Sequence, residues 1–335
     1  MIDTFDLTKR LMEIPSVSGN EGEVGNYLAE FLSGLGYEVE LQEVEPGRRN
    51  LLARVSESAS VFYSTHLDTV PPFIAPTEDD EKIYGRGACD AKGIIASQIS
   101  ATERLRQQGE NRIGLLYTVD EEEGGMGARA ANEHPWASNC KFLINGEPTD
   151  NDLAIGSKGS LRMLLKANGK AAHSAYPEMG DSAIEKLLAV LNDILAAELP
   201  KDDFFGETTL NIGTISGGLK TNVVAPSAEA GLHIRMVGDL EPVVEKLEQA
   251  IDGRATLETM SLSLPVRMLA VDGFKQKVVR FTTDIPYLTK WGQPLLLGPG
   301  SILDAHTSHE FVLKEDLLHA VSLYEGLAKA LLAGD

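Results

Sequence analysis

Val61-Phe62-Tyr63-Ser64-Thr65-His66-Leu67-Asp68 is the stretch on which the reading of this chain turns. A short apolar run ends in a histidine and then an aspartate. The same design recurs three times. Residues 113–119 run into Asp120-Glu121-Glu122-Glu123-Gly124, residues 142–145 into Gly146-Glu147-Pro148, and residues 294–297 into Gly298-Pro299-Gly300 and then His306. Continuous apolar runs of this length, bounded by turn residues, read as buried strands. Between them lie helical patterns at residues 21–35, stopped by Gly36, and 93–107, with Ile94, Ile95, Ile99 and Leu105 on the apolar positions. Strands alternating with helices predict an α/β fold with a mostly parallel sheet. Open parallel sheets carry their sites at the carboxyl ends of the strands, which is where these polar groups fall.

The pattern changes at Gly156-Ser157-Lys158-Gly159, which reads as a hinge. Beyond it come a strand at 160–167 and a helix at 182–198 with a Ser182/Glu185 capping box. Strands at 208–215 and 222–236, a helix at 241–251 and a strand at 255–263 complete the order β-α-β-β-α-β of a ferredoxin-like domain. From residue 264 the α/β pattern returns and closes on an amphipathic helix at 315–332. The expected organisation is an α/β domain of residues 1–157 and 265–335, with an α+β ferredoxin-like domain inserted at 158–264.

Thirty Lys and Arg against fifty Asp and Glu give a net charge of −20. Such a field repels phosphate backbones and anionic lipid, so neither nucleic acid nor membrane is an expected partner. No apolar run approaches the ~20 residues of a membrane span. Residues 1–6, Met-Ile-Asp-Thr-Phe-Asp, are acidic and do not read as a secretory signal. The chain has two cysteines, Cys89 and Cys140; a disulfide between them is possible, but two thiols in a long chain fit a reducing cytoplasm better.

A glycine-rich loop, Tyr84-Gly85-Arg86-Gly87-Ala88-Cys89-Asp90-Ala91-Lys92-Gly93, adds a further carboxylate at a helix start. It lacks the Gly-Lys-Ser/Thr ending of a phosphate loop, and Asp90 would repel phosphate. Cys89 reads as a small buried residue behind that loop. Two histidines and three carboxylates, His66, Asp90, Glu122, Glu147 and His306, suit a pair of zinc ions sharing one carboxylate. Asp68 is placed to orient the His66 imidazole. Glu121, beside the ligand Glu122, is the candidate general base. His134 reads as a surface histidine.

These motifs together resemble the co-catalytic zinc deacylase and exopeptidase family of acetylornithine deacetylase, succinyl-diaminopimelate desuccinylase, carboxypeptidase G and aminoacylase. The resemblance spans essentially the whole chain, and it implies a di-zinc catalytic domain at 1–157 and 265–335 with a lid and dimerisation domain at 158–264. It implies two Zn²⁺ per chain, with Co²⁺ or Mn²⁺ as substitutes, bridged by Asp90. His66 and Glu147 would complete one site, Glu122 and His306 the other. In the inserted segment, Gly169 to Pro177 resembles the stretch whose histidine, here His173, reaches across a homodimer to the scissile carbonyl. Lys220 to Pro226 resembles the loop whose asparagine, here Asn222, touches substrate. His233-Ile234-Arg235 resembles the segment whose arginine binds the substrate α-carboxylate; the family often has Asp where His233 stands. The run Leu297-Gly298-Pro299-Gly300 resembles the acetylornithine and acetylcitrulline branch. The expected activity is therefore removal of an acyl group, acetyl, from an N-acyl amino acid, N-acetyl-L-ornithine in arginine biosynthesis. The alternatives are N-succinyl-diaminopimelate desuccinylase and a metallo-dipeptidase or carboxypeptidase using the same site. A catalytically silent metal-binding protein is the alternative of another class; loss of the base would mark it, and Glu121 is intact.

Overall fold

The computed structural model describes residues 2–334. The chain divides into two units, one of Met1–Ile155, Met268–Lys277 and Thr283–Asp335, the other of Gly156–Arg267 and Val278–Thr282.

The larger unit is built on a sheet. From its hairpin edge the strands are Glu38–Glu45, Arg48–Arg54, Ile113–Thr118, Val61–His66, Phe142–Asn145, Gln293–Leu296 and Leu153–Ser157. The four from Ile113–Thr118 to Gln293–Leu296 run parallel. Side chains alternate across such strands, and both faces are covered. Val61, Tyr63, Ile113, Leu115 and Tyr117 enter the core shared with helices Lys92–Gln107 and Lys314–Ala333. Phe62, Leu116 and Leu143 enter a second core with Trp136 and Trp291. The register levels the strand ends: His66 faces Thr118, and Asn145 faces both Ser64 and Leu296. The chain thus leaves the sheet at four adjacent points along one edge.

The mostly parallel α/β fold agrees with the sequence reading, with local differences. A helix at Thr4–Glu13 precedes the first one expected; Asp3 caps it by accepting the amides of Phe5 and Asp6 at 3.0 and 3.1 Å. His134 is buried, contrary to its reading as a surface residue. Its Nδ1 accepts the Trp136 amide at 3.2 Å, its ring stands edge-on to that indole, and Nε2 lies 3.0 Å from Glu40.

The smaller unit is a four-stranded antiparallel sheet in the order Thr209–Gly217, Ser227–Met236, Gly159–Asn168, Thr256–Ser263. Helices Ala183–Ala196 and Leu240–Ile251 share a core with Leu161, Leu165, Leu232 and Ile234 from one face of this sheet. Ser182 caps the first helix through the Glu185 amide, 3.3 Å away. The strand expected from residue 222 starts instead at Ser227. Pro226 has no N–H to give to a ladder, so residues 222–226 stay in the loop. Among the described residues no helix is long and apolar enough to cross a membrane.

Candidate metal centre

Each polar residue at the strand ends is placed by the element before it. His66 is the last residue of its strand, and Glu121 and Glu122 follow Ile113–Thr118 by a left-handed residue, Asp120 at φ 69°. Glu147 follows Phe142–Asn145, and its backbone packs on Gly298, where a Cβ would sit 2.4 Å from the Glu147 carbonyl oxygen. Glycine is therefore required where the chain leaves Gln293–Leu296 beside Glu147. His306 is a second left-handed residue, at φ 63°. Positive φ in non-glycine residues carries strain, and both examples flank the polar cluster.

These side chains converge. His66 Nε2 lies 2.9 Å from one oxygen of Asp90, and His306 Nε2 lies 3.3 Å from the other. His306 Nε2 is also 3.0 Å from both oxygens of Glu122. Ligand atoms of His66, Asp90 and Glu122 fall within 4.8 Å of one another, as do those of His66, Glu121 and Glu147. Asp90 thus stands between the two imidazoles with one oxygen toward each. Glu122 accompanies His306, and Glu147 accompanies His66.

Buried partners hold this geometry. His66 Nδ1 meets the backbone carbonyl of Asp68 at 2.9 Å, while the nearest carboxylate oxygen of Asp68 is 3.6 Å away. The Asp68 carboxylate instead accepts the backbone amides of Glu121 and Glu122, at 3.1 and 3.2 Å, and the Ser18 hydroxyl at 2.7 Å. One residue therefore fixes the His66 ring through its main chain and the Glu121–Glu122 turn through its side chain. Glu310 plays the matching part for the Asp90 loop. It accepts the amides of Gly87, Cys89 and Asp90 at 3.0, 3.3 and 3.3 Å, and Arg86 Nη1 at 2.5 Å. Cys89 is buried behind the loop, with Sγ 3.7 Å from Glu310.

The electrostatics are those of a site built for positive charge. Burial, then the Glu147 carboxylate, raises Glu121 well above the usual carboxylate range; burial, then Asp90, does the same to Glu147. Burial, then Asp90, also raises Glu122, against the pull of His306. Burial works against ionisation of Asp90, but the imidazoles of His306 and His66 outweigh it and hold that carboxyl low. Hydrogen bonds to Asp90 and Glu122 raise His306 to about 10. Asp284, which sequence reasoning did not single out, is buried near this cluster and accepts the Thr118 hydroxyl at 2.7 Å. Burial pushes it up to about 7. Its sequence context, Thr282-Thr283-Asp284-Ile285-Pro286, follows no apolar run, so no strand-end signal marks it.

The remaining candidates lie in the smaller unit. His173 and Asn222 are exposed and sit on loops that zip together: His173 bridges Val223, and the Ser174 amide donates to the Asn222 carbonyl at 3.0 Å. Arg235 is half-buried on Ser227–Met236, and its Nη1 donates to Thr282 Oγ1 at 3.2 Å.

A mostly parallel sheet here gathers imidazoles and buried carboxylates at its strand ends, where open α/β sheets carry their sites. The chain belongs to peptidase family M20/M25/M40, whose pattern matches residues 62–330. A peptidase M20 domain-containing protein of Schizosaccharomyces pombe is 37% identical over 332 residues, covering 96% of this chain and 83% of that one. A protein of Aspergillus terreus named a probable carboxypeptidase is 36% identical over 365 residues, with 96% and 84% covered. Among solved structures, an M20 family metallo-carboxypeptidase from Sulfolobus solfataricus superposes with a TM-score of 0.78 at 19% identity, over 98% of this chain and 99% of that one. A dinuclear metal-binding peptidase of the M20 family from Bacillus subtilis gives 0.71 at 15% identity, over 98% and 97%. At these identities the two structures speak for the fold alone.

Proposed function

We propose that the chain is a two-metal exopeptidase or deacylase that hydrolyses the amide bond next to a free α-carboxylate. The observation that carries this reading is Asp90, held between two imidazoles with one oxygen toward each. Carboxylates raised by burial and, after it, by one another would be relieved by divalent cations, so the donor set fits such ions. His66, Asp90 and Glu147 would hold one, and Asp90, Glu122 and His306 the other. Nitrogen and oxygen donors in this mixture suit zinc first, with cobalt or manganese as substitutes. Such a pair, when bound, supplies Lewis acidity toward the amide carbonyl and acidity to the attacking water.

The chain's own residues do the rest. Glu121 takes a proton from the attacking water and passes it to the departing amine. Asp68 keeps Glu121 and Glu122 on opposite duties by fixing the turn that carries both. Arg235 binds the α-carboxylate in a bidentate pair, with Asn222 beside the substrate. His173 donates to the developing oxyanion, across a homodimer formed by the smaller unit. That unit has the surface for it: helix Ala183–Ala196 exposes Ile184, Leu188 and Leu195, and the edge strand Thr209–Gly217 exposes Ile215. Two free, buried cysteines favour a reducing, cytoplasmic setting.

Two substrate types share this chemistry. The relatives' names favour a peptide, while the Leu297–Gly300 motif favours N-acetyl-L-ornithine, with N-succinyl-diaminopimelate as its rival. Purified zinc-loaded protein assayed on Gly-Leu, N-acetyl-L-ornithine and N-succinyl-diaminopimelate tests the reading. Cleavage at the bond beside the α-carboxylate, lost on chelation and restored by zinc, is the expected result. Activity that survives full metal removal would overturn it.

A further inference from the structure

The open face of the four-stranded sheet carries more positive charge than one α-carboxylate requires. Side chains alternate along Ser227–Met236, so His233 and Arg235 share the face turned away from the helices. Across the ladder to Gly159–Asn168, His233 pairs with Arg162 and Arg235 pairs with Ser160. Arg162 and Arg235 are diagonal neighbours on one face, a relation that puts backbones ~7–8 Å apart and long side chains within common reach. Arg162 is exposed and makes no hydrogen bond or ion pair among the described residues. The flanking strands place only Thr209, Asn211, Ser261 and Ser263 beside this group. The acids of the face stand at its other end, where Glu229 and Glu258 neighbour Lys166.

His233 completes the argument. A carboxylate side chain at position 233 would stand opposite Arg162 and neutralise it. The imidazole does not: burial, then Arg235 and Arg162, hold it down to about 4, so it is neutral at physiological pH. Its Nε2 is within 2.8 Å of Ser160 Oγ. In a chain of net charge −20, an unpaired guanidinium beside Arg235 marks a place for an anion.

We propose that Arg162 is a specificity determinant that receives a second carboxylate of the substrate, so the enzyme prefers amides that release glutamate or aspartate. This rests on the reading of Arg235 as the α-carboxylate anchor, and it opposes a cationic side chain such as that of ornithine. A dicarboxylic residue offers two acceptors within the span of two neighbouring guanidinium forks.

The test compares Gly-Glu, Gly-Gln and Gly-Lys, and their N-acetyl counterparts, on zinc-loaded wild type, Arg162→Gln, Arg162→Lys and Arg162→Glu. Glutamate and glutamine differ in charge but hardly in shape. Wild type should favour Glu over Gln by about tenfold or more in kcat/KM, mostly through KM. Arg162→Gln should erase that preference, bringing kcat/KM for the Glu substrates down to about that of their Gln counterparts. Arg162→Lys should keep part of it, and Arg162→Glu should shift preference toward Lys. Equal handling of Glu and Gln by wild type, or a preference that survives in Arg162→Gln, overturns the inference while leaving the proposed function standing. Cleavage of none of the six substrates would overturn this inference, while the proposed function would still be decided by Gly-Leu, N-acetyl-L-ornithine and N-succinyl-diaminopimelate.

Discussion

Arg48 Nη2 lies 2.9 Å from Asp120 Oδ1, and the same guanidinium binds both oxygens of Glu21, at 2.9 and 2.6 Å. The Glu21 side chain is fully buried and that of Asp120 nearly so. Asp120 is the left-handed residue that turns the chain into Glu121; its carbonyl accepts the amides of Gly124 and Gly125, and its Oδ2 accepts that of Met126. The turn that carries Glu121 is thus tied to a helix start and a β-hairpin remote in sequence. Removing the cation leaves two buried carboxylates unpaired, a loss of roughly 3–5 kcal/mol in comparable cases. Arg48→Ala should lower stability by about that amount in chemical denaturation, and kcat should fall with it. Arg48→Lys, which restores the charge but not the fork, should recover part of the stability and less of the rate.

Glu121 and Glu122 are adjacent acids, and the structure offers metal-type contacts to either, since Glu121 also approaches His66 and Glu147. Glu121→Gln should leave metal content unchanged while kcat falls by ~10²–10⁴-fold, the usual cost of losing a general base. Glu122→Gln should instead lower the bound metal measured by elemental analysis. If Glu121→Gln empties a site and Glu122→Gln does not, the two assignments are exchanged.

Those two residues also show what the sequence could and could not disclose. The parallel sheet was legible because its strands are continuous apolar runs, and three of the four end within two residues of a histidine or carboxylate. Arg48, Glu21 and Ser18 were not, because their roles come from pairings with Asp120 and Asp68 that no local pattern encodes. Glu310 belongs with them, because its task of gathering the amides of the Asp90 loop required the fold. His134 misled for the opposite reason: flanked by Glu133 and Pro135 it looks exposed, yet Trp136 and Glu40 bury it.

Metal should stabilise as well as activate. The carboxylates of Glu121, Glu122 and Glu147 repel one another in the absence of cations, so ions that bind only the folded chain shift unfolding by mass action. At a thousandfold excess over Kd that gain is about 4 kcal/mol. Zinc should therefore raise Tm in calorimetry, and chelation should lower it. Asp90→Ala should remove most of the rise if that carboxylate, with one oxygen toward each imidazole, serves both proposed positions, whereas His306→Ala should remove only part.

His233 gives the smaller unit a pH dependence of known sign. An imidazole in an unfolded chain titrates near 6.5. Burial, then Arg235 and Arg162, hold the folded group at about 4; Asn211 and Thr209 face it from the other neighbouring strand and carry no charge. Between those values the unfolded chain binds the extra proton, so stability falls as pH falls from 6.5 toward 4. Tm measured at pH 7 and pH 4.5, at constant zinc, should drop less in His233→Asn than in wild type. An equal drop would assign the acid sensitivity to other groups.

The last prediction concerns His173, which is exposed on its own unit and, among the described residues, bonded through its ring only to the Ala175 amide, which its Nδ1 accepts at 3.1 Å. Its loop is nonetheless pinned, through the bridge to Val223 and the Ser174–Asn222 hydrogen bond. An imidazole held in place by its backbone, with no buried partner of its own, fits a group that completes another subunit's site. If so, each active site needs Glu121 from one chain and His173 from the other. His173→Ala and Glu121→Ala homodimers should each be close to inactive. A mixed dimer contains one site with both residues intact and one with neither. Chains exchanged by mild denaturation and renaturation should therefore recover activity, up to half the wild-type rate per mixed dimer. Mixed dimers isolated by two different affinity tags allow the rate to be read on that species alone. Recovery there places His173 in the partner's site; silence in demonstrably mixed dimers would confine it to its own chain.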